Sequence, residues 1–367
     1  MTRQQIMFNA IAHKPVNRFP FCTYNCHPFE WGEHKNDPGY RPIFKKIEEN
    51  PVGYLCKISA TTINKTLEVE PHKRIEGGGT YTKNIWKTPL GTLIQTIRKP
   101  EDQPEMCVEP FIKNESDVKK YLSVPYISAQ WDISRVVSSV RDVGEKGIVY
   151  ISFNDPFYFI SYLFDQEEFV IKAFTEFDSI KYLVDFQFER IYNDLKFLLD
   201  VLVPFGMPLL FYTAGPELAT PPLHSPDVFR RLIVPYQTRL VELIHSYGYP
   251  VSLHCHGRVR DVFPYILECA FDVLEPIEPP PQGDMDLEEL RKAAGGGIAL
   301  MGYIQDQDFY LLREDEIREK IRLITEFIGK DTGYICCPTC TPFQHPPSEI
   351  YIKNYLAFLD AVKVDGN

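Results

Sequence analysis

The sharpest chemical signal in the chain is His254-Cys255-His256, joined far downstream by Cys340. In an extended segment, residues two apart project to the same side, so the two imidazoles can share one cation. A thiolate from Cys340 would complete a soft nitrogen–sulfur set suited to Zn2+. Glu217 can supply a fourth, oxygen ligand or act as the catalytic carboxylate that positions a substrate. Three protein ligands and one exchangeable position make a catalytic zinc arrangement, whereas a structural site is closed. An isolated His-x-His also occurs as a hydrogen-bonded loop pair. Cys340 tips the reading toward metal.

Cys337-x-x-Cys340 admits a second chemistry, dithiol redox. A thioredoxin-type motif opens a helix, however, and here Pro342, Pro346 and Pro347 follow before a helix begins near Ser348. Cys255 points away from its flanking histidines if the segment is a strand. Asn154, Asp155, Tyr212, Tyr303, Gln305 and His27 are the candidates for holding a substrate. Asp155 precedes a proline and is equally a turn starter.

These residues gain meaning from the elements that must position them. Thr2 and Gln5 have capping-box spacing and open a helix carrying Ile6, Ala10 and Ile11. Short apolar runs follow near residue 20 and near 52–55. From residue 147 onward, apolar runs at 147–151, 208–212, 251–253, 271–274, 298–301 and 334–336 alternate with amphipathic helical stretches. Strands too uniformly apolar to have a wet face imply a parallel sheet covered on both sides. Eight such units predict an α/β fold, a closed TIM-type (β/α)8 barrel, over a single domain spanning 1–367. An inserted antiparallel hairpin region is expected near 73–100, punctuated by Gly77-Gly-Gly79 and Pro89-Leu-Gly91. A dinucleotide fold is disfavoured because no Gly-x-Gly-x-x-Gly follows a strand. In a barrel the chemistry lies at the C-terminal strand ends, which is where His254, His256, Glu217 and Cys340 fall.

Composition narrows the function further. The 367 residues carry 39 basic and 50 acidic side chains, a net charge of −11. Such a surface repels phosphate backbones and anionic lipid, so neither nucleic acid nor a membrane is an expected partner. Hydrophobic residues at 44% and aromatics at 13% suffice for a large core and exclude disorder. No run approaches the ~18 apolar residues of a membrane span, and no apolar signal core opens the chain, so a cytoplasmic location is expected. Nine cysteines in that setting are expected to be reduced.

The chain resembles the uroporphyrinogen decarboxylase-like superfamily, and within it the zinc- and corrinoid-dependent methyltransferases. The resemblance is carried by His13-Lys-Pro-Val-Asn-Arg-Phe-Pro20, Gly215-Pro-Glu-Leu-Ala-Thr-Pro-Pro222, Ser225-Pro-Asp-Val-Phe229, Leu253-His-Cys-His-Gly257, Cys337-Pro-Thr-Cys340 and the stretch from Pro346 to Ile350. It implies a barrel whose mouth binds a porphyrinogen or, in the methyltransferase branch, zinc. That branch carries a His-x-Cys pair and a distant cysteine; here His256 stands in for the first cysteine and Cys340 matches the second. The decarboxylase branch fits less well, since its opening arginines have no counterpart between Arg18 and Arg41.

The resemblance therefore implies a methyltransferase that moves a methyl group between a small methylated substrate and a corrinoid carried by a partner protein. His254, His256 and Cys340 would hold the zinc, with Glu217 beside it. No corrinoid-binding module is recognisable in the chain, so a corrinoid-binding protein must bring the cobalt. The rivals are a cofactor-independent porphyrinogen-type decarboxylase, a metal-dependent hydrolase and a non-enzymatic ligand-binding protein. A hydrolase would want more histidines, and only His345 follows His256. The family likeness and the 25 Phe and 21 Tyr suggest a homodimer.

Overall fold

The computed structural model describes residues 1–29, 34–62, 69–76, 78–100, 105–329, 332–342 and 344–365. They group into two compact units. The first comprises Met1–Ala60, Ile133–Phe153 and Leu202–Asn367; the second comprises Thr61–Asp132 and Asn154–Val201.

The first unit is built on a seven-stranded parallel sheet. Its strands are β1 (Leu55–Ile58), β2 (Ile148–Asn154), β3 (Leu209–Ala214), β4 (Val251–His254), β5 (Val273–Ile277), β6 (Ala299–Ile304) and β7 (Tyr334–Pro338), hydrogen-bonded in that order. Alternate residues of each strand share one face. On the inner face Leu55, Ile148, Tyr150, Leu210, Tyr212, Val273, Ala299, Met301, Ile335 and Cys337 form one buried cluster. The opening helix Arg3–Ile11, capped by Thr2 and Gln5 as its spacing predicts, adds Met7, Ala10 and Ile11. Each buried large aliphatic or aromatic side chain contributes about 1.5–3 kcal/mol, so this shared core fixes the sheet.

The closed eight-stranded barrel is not what forms. The expected first strand, near residue 20, makes single parallel bridges: Phe21 to Cys336 on one side and Cys22 to Gly53 on the other. Pro20 lacks an N–H, and Tyr24 turns the chain out of extended geometry at φ 54°. The segment is therefore too short for a ladder, and seven strands remain. Elsewhere the strands run past their predicted ends, β5 to Ile277 and β6 to Ile304.

Local chemistry explains the irregular points. The pairing of β5 with β6 shifts register between Leu274 and Ile277, where Pro276 cannot donate a ladder bond. Opposite it, a Cβ on Gly302 would lie 2.7 Å from the Ile277 backbone, so only glycine permits the approach. The helix following Ser225 breaks into Pro226–Leu232 and Val234–Ser246. Pro235 cannot complete the intervening turn, because it lacks the N–H that would continue the helix.

The second unit carries the expected antiparallel region. Strands Val69–Glu76, Gly79–Thr88, Gly91–Pro100 and Met106–Glu109 form a four-stranded sheet. Gly77, one of the predicted turn glycines, lies outside the described residues. Trp86 packs edge-on against Phe111 and against Tyr121 of helix Glu115–Leu122. A long helix spans Phe177–Leu202, with Ile180, Leu183, Val184, Phe188, Ile191 and Leu195 buried at three- and four-residue steps. Among the described residues no helix is long and apolar enough to cross a membrane.

Candidate functional site

His254 ends β4 and lies in register with Glu275 of β5. Its Nδ1 is 3.1 Å from Glu275 Oε2 and 3.3 Å from the Tyr24 hydroxyl. Two residues on, His256 Nδ1 is 3.4 Å from Glu278 Oε2, which also accepts the Gly257 N–H at 2.8 Å. Gly257 adopts φ 82°, the left-handed turn that carries the chain away from the strand end. The two imidazole centroids are 4.4 Å apart with their planes nearly perpendicular. The sharing of one side, expected from the spacing, is therefore met.

Each imidazole thus has its Nδ1 tied to a carboxylate. That is the arrangement by which metal-bound histidines are oriented, and it leaves Nε2 as the atom to offer. Among the described residues neither Nε2 has a protein hydrogen bond, so the two rings fit a cation ligand role. Burial works against protonating His256, yet the hydrogen bond and charge of Glu278 outweigh it and raise its pKa. Conversely, burial would push Glu278 up, but His256 holds it below the ordinary range. Glu275 is 1% exposed and its Oε1 has no partner, an unmet acceptor at the centre of the cluster.

Glu217 follows β3, and its Oε2 accepts the Gly215 N–H at 2.7 Å. Tyr212 lies on the inner face of the same strand, its ring 5.6 Å from that of His254 and 4.8 Å from Tyr150. Above Tyr212 stands Lys57 of β1, with Nζ 4.4 Å from the ring centroid. Loss of hydration lowers the Lys57 pKa, and the charges of Glu275 and Glu217 only partly restore it.

The remaining predicted residues are placed differently. Cys340 lies beyond β7 with its Sγ donating to the Thr341 carbonyl at 3.3 Å. Although its surface is exposed, the packing around it raises the thiol to about 11, with Asp306 and Glu278 adding to the shift. Among the described residues no three His, Cys, Asp or Glu side chains are gathered closely enough to hold a metal ion. Cys340 therefore stands outside the histidine pair here. Cys337 is buried on the inner face and contacts Cys22 rather than Cys340, which leaves the Cys-x-x-Cys motif unpaired. Cys255 is buried.

Gln305 is buried and accepts the Thr339 hydroxyl at 2.9 Å. The Tyr303 hydroxyl accepts the Leu287 N–H at the start of helix Leu287–Ala294. His27 is fully buried and stacked on Tyr54, with Nδ1 accepting the Phe29 N–H. Asn154 and Asp155 belong to the second unit. There Asp155 caps helix Pro156–Ser161 through the Tyr158 N–H at 2.6 Å.

Sequence reasoning missed Lys57 and Tyr24, and it placed Glu275 and Glu278 at a strand end without giving them a role. A strand taken to stop at Leu55 hides Lys57, although period-two alternation carries it to the same face as Leu55. The two glutamates follow a strand in the sequence, but Glu275 meets His254 through the β4–β5 register and Glu278 meets His256 beyond the strand end. Tyr24 reaches His254 across 230 residues, which no local pattern reveals.

The family model for uroporphyrinogen decarboxylase (URO-D) matches residues 154–364. No curated protein matches the chain in sequence. Among solved structures, a methyltransferase from Methanosarcina mazei superposes with a TM-score of 0.60 at 16% identity, covering 98% of each chain. The Bacillus subtilis mannanase BCman scores 0.42 at 11% identity, over 96% of this chain and 88% of that one. A glycerophosphoryl diester phosphodiesterase from Parabacteroides distasonis scores 0.38 at 9% identity, over 100% and 94%. The first likeness is one of fold; the other two are too loose to bear on this chain.

Proposed function

This chain belongs to the uroporphyrinogen decarboxylase family, and from that premise we propose that it is a methyltransferase-like enzyme whose mouth binds zinc. In the finer reading, it moves a methyl group between a small methylated substrate and a corrinoid carried by a partner protein. The observation that supports this most is the pair of imidazoles, 4.4 Å apart, each held at Nδ1 by its own carboxylate. The likeness of fold to a methyltransferase supports the same branch.

His254 and His256 would hold the zinc through Nε2, with Cys340 as third ligand and Glu217 as fourth or as a positioning carboxylate. For Cys340 to serve, its sulfur must turn from the Thr341 carbonyl, and loss of its proton must overcome the raised pKa. A bound cation favours that loss. Zinc at this position supplies Lewis acidity toward the heteroatom that carries the methyl group. The chain's own part is orientation and charge: Glu275 and Glu278 fix the imidazoles, and Tyr212 walls the inner face below.

The test is metal content after purification, together with methyl transfer to reduced cobalamin. Wild type is expected to carry close to one zinc per chain, and a His254→Ala plus Cys340→Ala variant to carry almost none. Equal, near-zero zinc in both proteins overturns the reading. Decarboxylation of a porphyrinogen by metal-free protein would assign the chain to the other branch.

A further inference from the structure

We propose that one face of the four-stranded antiparallel sheet in the second unit is a docking surface for a partner protein, which it takes by an acidic segment. The proposal stands on this sheet alone and is independent of the methyl-transfer reading.

Register brings the basic residues together. His72 of strand Val69–Glu76 pairs with Lys83 of strand Gly79–Thr88, and Lys83 pairs with Thr96 of strand Gly91–Pro100. Two residues along, Arg74 pairs with Tyr81, and Tyr81 with Arg98. Residues two apart on a strand share a face, so these side chains form two adjacent rows on one face of the sheet. The opposite face holds Trp86, Leu93 and Gln95, all buried. His72, Arg74 and Lys83 are exposed, and with Tyr81 and Thr96 they border a recess of about 300 Å3.

Arg74 and Arg98 flank Tyr81, with their guanidinium carbons 5.1 and 5.9 Å from its ring centroid. Lys83 lies diagonally across the ladder from both arginines, a separation of ~7–8 Å, at which like charges work against the sheet. Among the described residues neither Lys83 nor Arg98 has a hydrogen bond or an ion pair, and Arg98 Nε is buried without a partner. The carboxylate opposite Thr96, that of Glu109, is taken by Lys113 and by the Thr96 hydroxyl, each at 3.0 Å.

The chain has a net charge of −11, so this face is a local reversal of sign, and charge complementarity names an acidic occupant. Cations spread over two rows exceed the reach of one small oxyanion. They match carboxylates on a protein segment, where alternate residues of a strand stand ~7 Å apart. A nucleic acid fits less well. Its backbone would extend beyond the patch over a molecule of net negative charge, and the Tyr81 ring is flanked by two guanidinium groups rather than open to a base.

Fluorescence anisotropy of labelled decaglutamate with the purified full-length protein tests this, beside a neutral glycine–serine peptide of the same length and a decathymidylate oligonucleotide. Saturable binding of decaglutamate is expected at low salt, weakening as salt is raised, without binding of the neutral peptide. The oligonucleotide should bind roughly tenfold more weakly or worse. Lys83→Gln, a change at an exposed position, should weaken decaglutamate binding several-fold, and Lys83→Gln plus Arg98→Gln roughly tenfold or more. Lys83→Arg should retain it. Lys14→Gln plus Lys292→Gln, which removes the same charge from exposed positions of the first unit, should leave it unchanged. Absence of decaglutamate binding overturns the proposal, as does equal affinity in wild type and in both Lys83→Gln proteins. An equal loss in the Lys14 and Lys292 variant also overturns it, since the attraction would then be one of overall charge. Oligonucleotide binding as tight as that of decaglutamate overturns the protein partner in favour of a nucleic acid.

Discussion

Two sectors of the same sheet end carry polar side chains and treat them oppositely. Around β4 and β5, His254, His256 and Glu275 each keep one atom without a partner among the described residues. Around β6 and β7 the polar groups are turned on one another: Gln305 takes the Thr339 hydroxyl, and Asp306 takes the Tyr351 hydroxyl. A buried polar atom left unpaired costs free energy, and Glu275 Oε1 is one, so on our reading a ligand completes the open sector. Both were legible as polar strand ends, and only the hydrogen bonds separate them.

If that contrast is right, substitutions in the satisfied sector act on stability and those in the open sector act on ligand. The largest effect expected is at Asp306, where burial raises the carboxyl to about 6. A raised acid pKa means that the folded state holds the proton more tightly than the unfolded state. The stabilisation is therefore complete below the unfolded value near 4 and is lost as pH rises to about 6. The total change is about 3 kcal/mol. Denaturant melts of wild type should weaken across that window, and those of Asp306→Asn should be flat through it. An equally sloped profile in the variant would show that another group carries the effect.

In the open sector, Glu275→Gln is expected to leave the fold intact and to lower zinc affinity about 10–100-fold, the usual cost of losing a carboxylate that orients a ligating histidine. Competition with a chromophoric chelator measures this. Unchanged affinity with lowered stability would place Glu275 in the scaffold and erase the contrast.

How much of this was readable beforehand depended on what each feature rests upon. The parallel α/β architecture was legible because its signal is local: continuous apolar runs such as Ile148–Ile151 alternate with helical periodicity. The eighth strand was not, since Phe21 and Cys22 look like a buried strand and only the geometry at Pro20 and Tyr24 limits them to single bridges. Strand ends were placed short because the inward residues there are polar. Lys57, His254 and Glu275 interrupt the apolar run there. The histidine pair was legible from spacing. Its carboxylate supports were not, because Glu275 reaches His254 through sheet register and Glu278 reaches His256 across a loop. Cys340 illustrates the converse: a sequence position that suits a ligand does not ensure that the sulfur faces the other two.

The finest discrimination between the sectors comes from Tyr351. Its hydroxyl donates to Asp306 Oδ1 at 2.9 Å, and both residues are buried. Tyr351→Phe removes one oxygen, keeps the ring packed against Phe309 and Tyr310, and leaves the carboxylate short of a donor. A stability loss of about 1–3 kcal/mol is expected at pH 8, where Asp306 is ionised. Near pH 4 the loss should be smaller, because a protonated Asp306 demands less of its neighbours. Zinc content should not change at either pH. Should zinc affinity fall with the removal of this hydroxyl, the β6–β7 sector would have to be counted as part of the ligand-binding end, with Asp306 conveying the effect to Cys340.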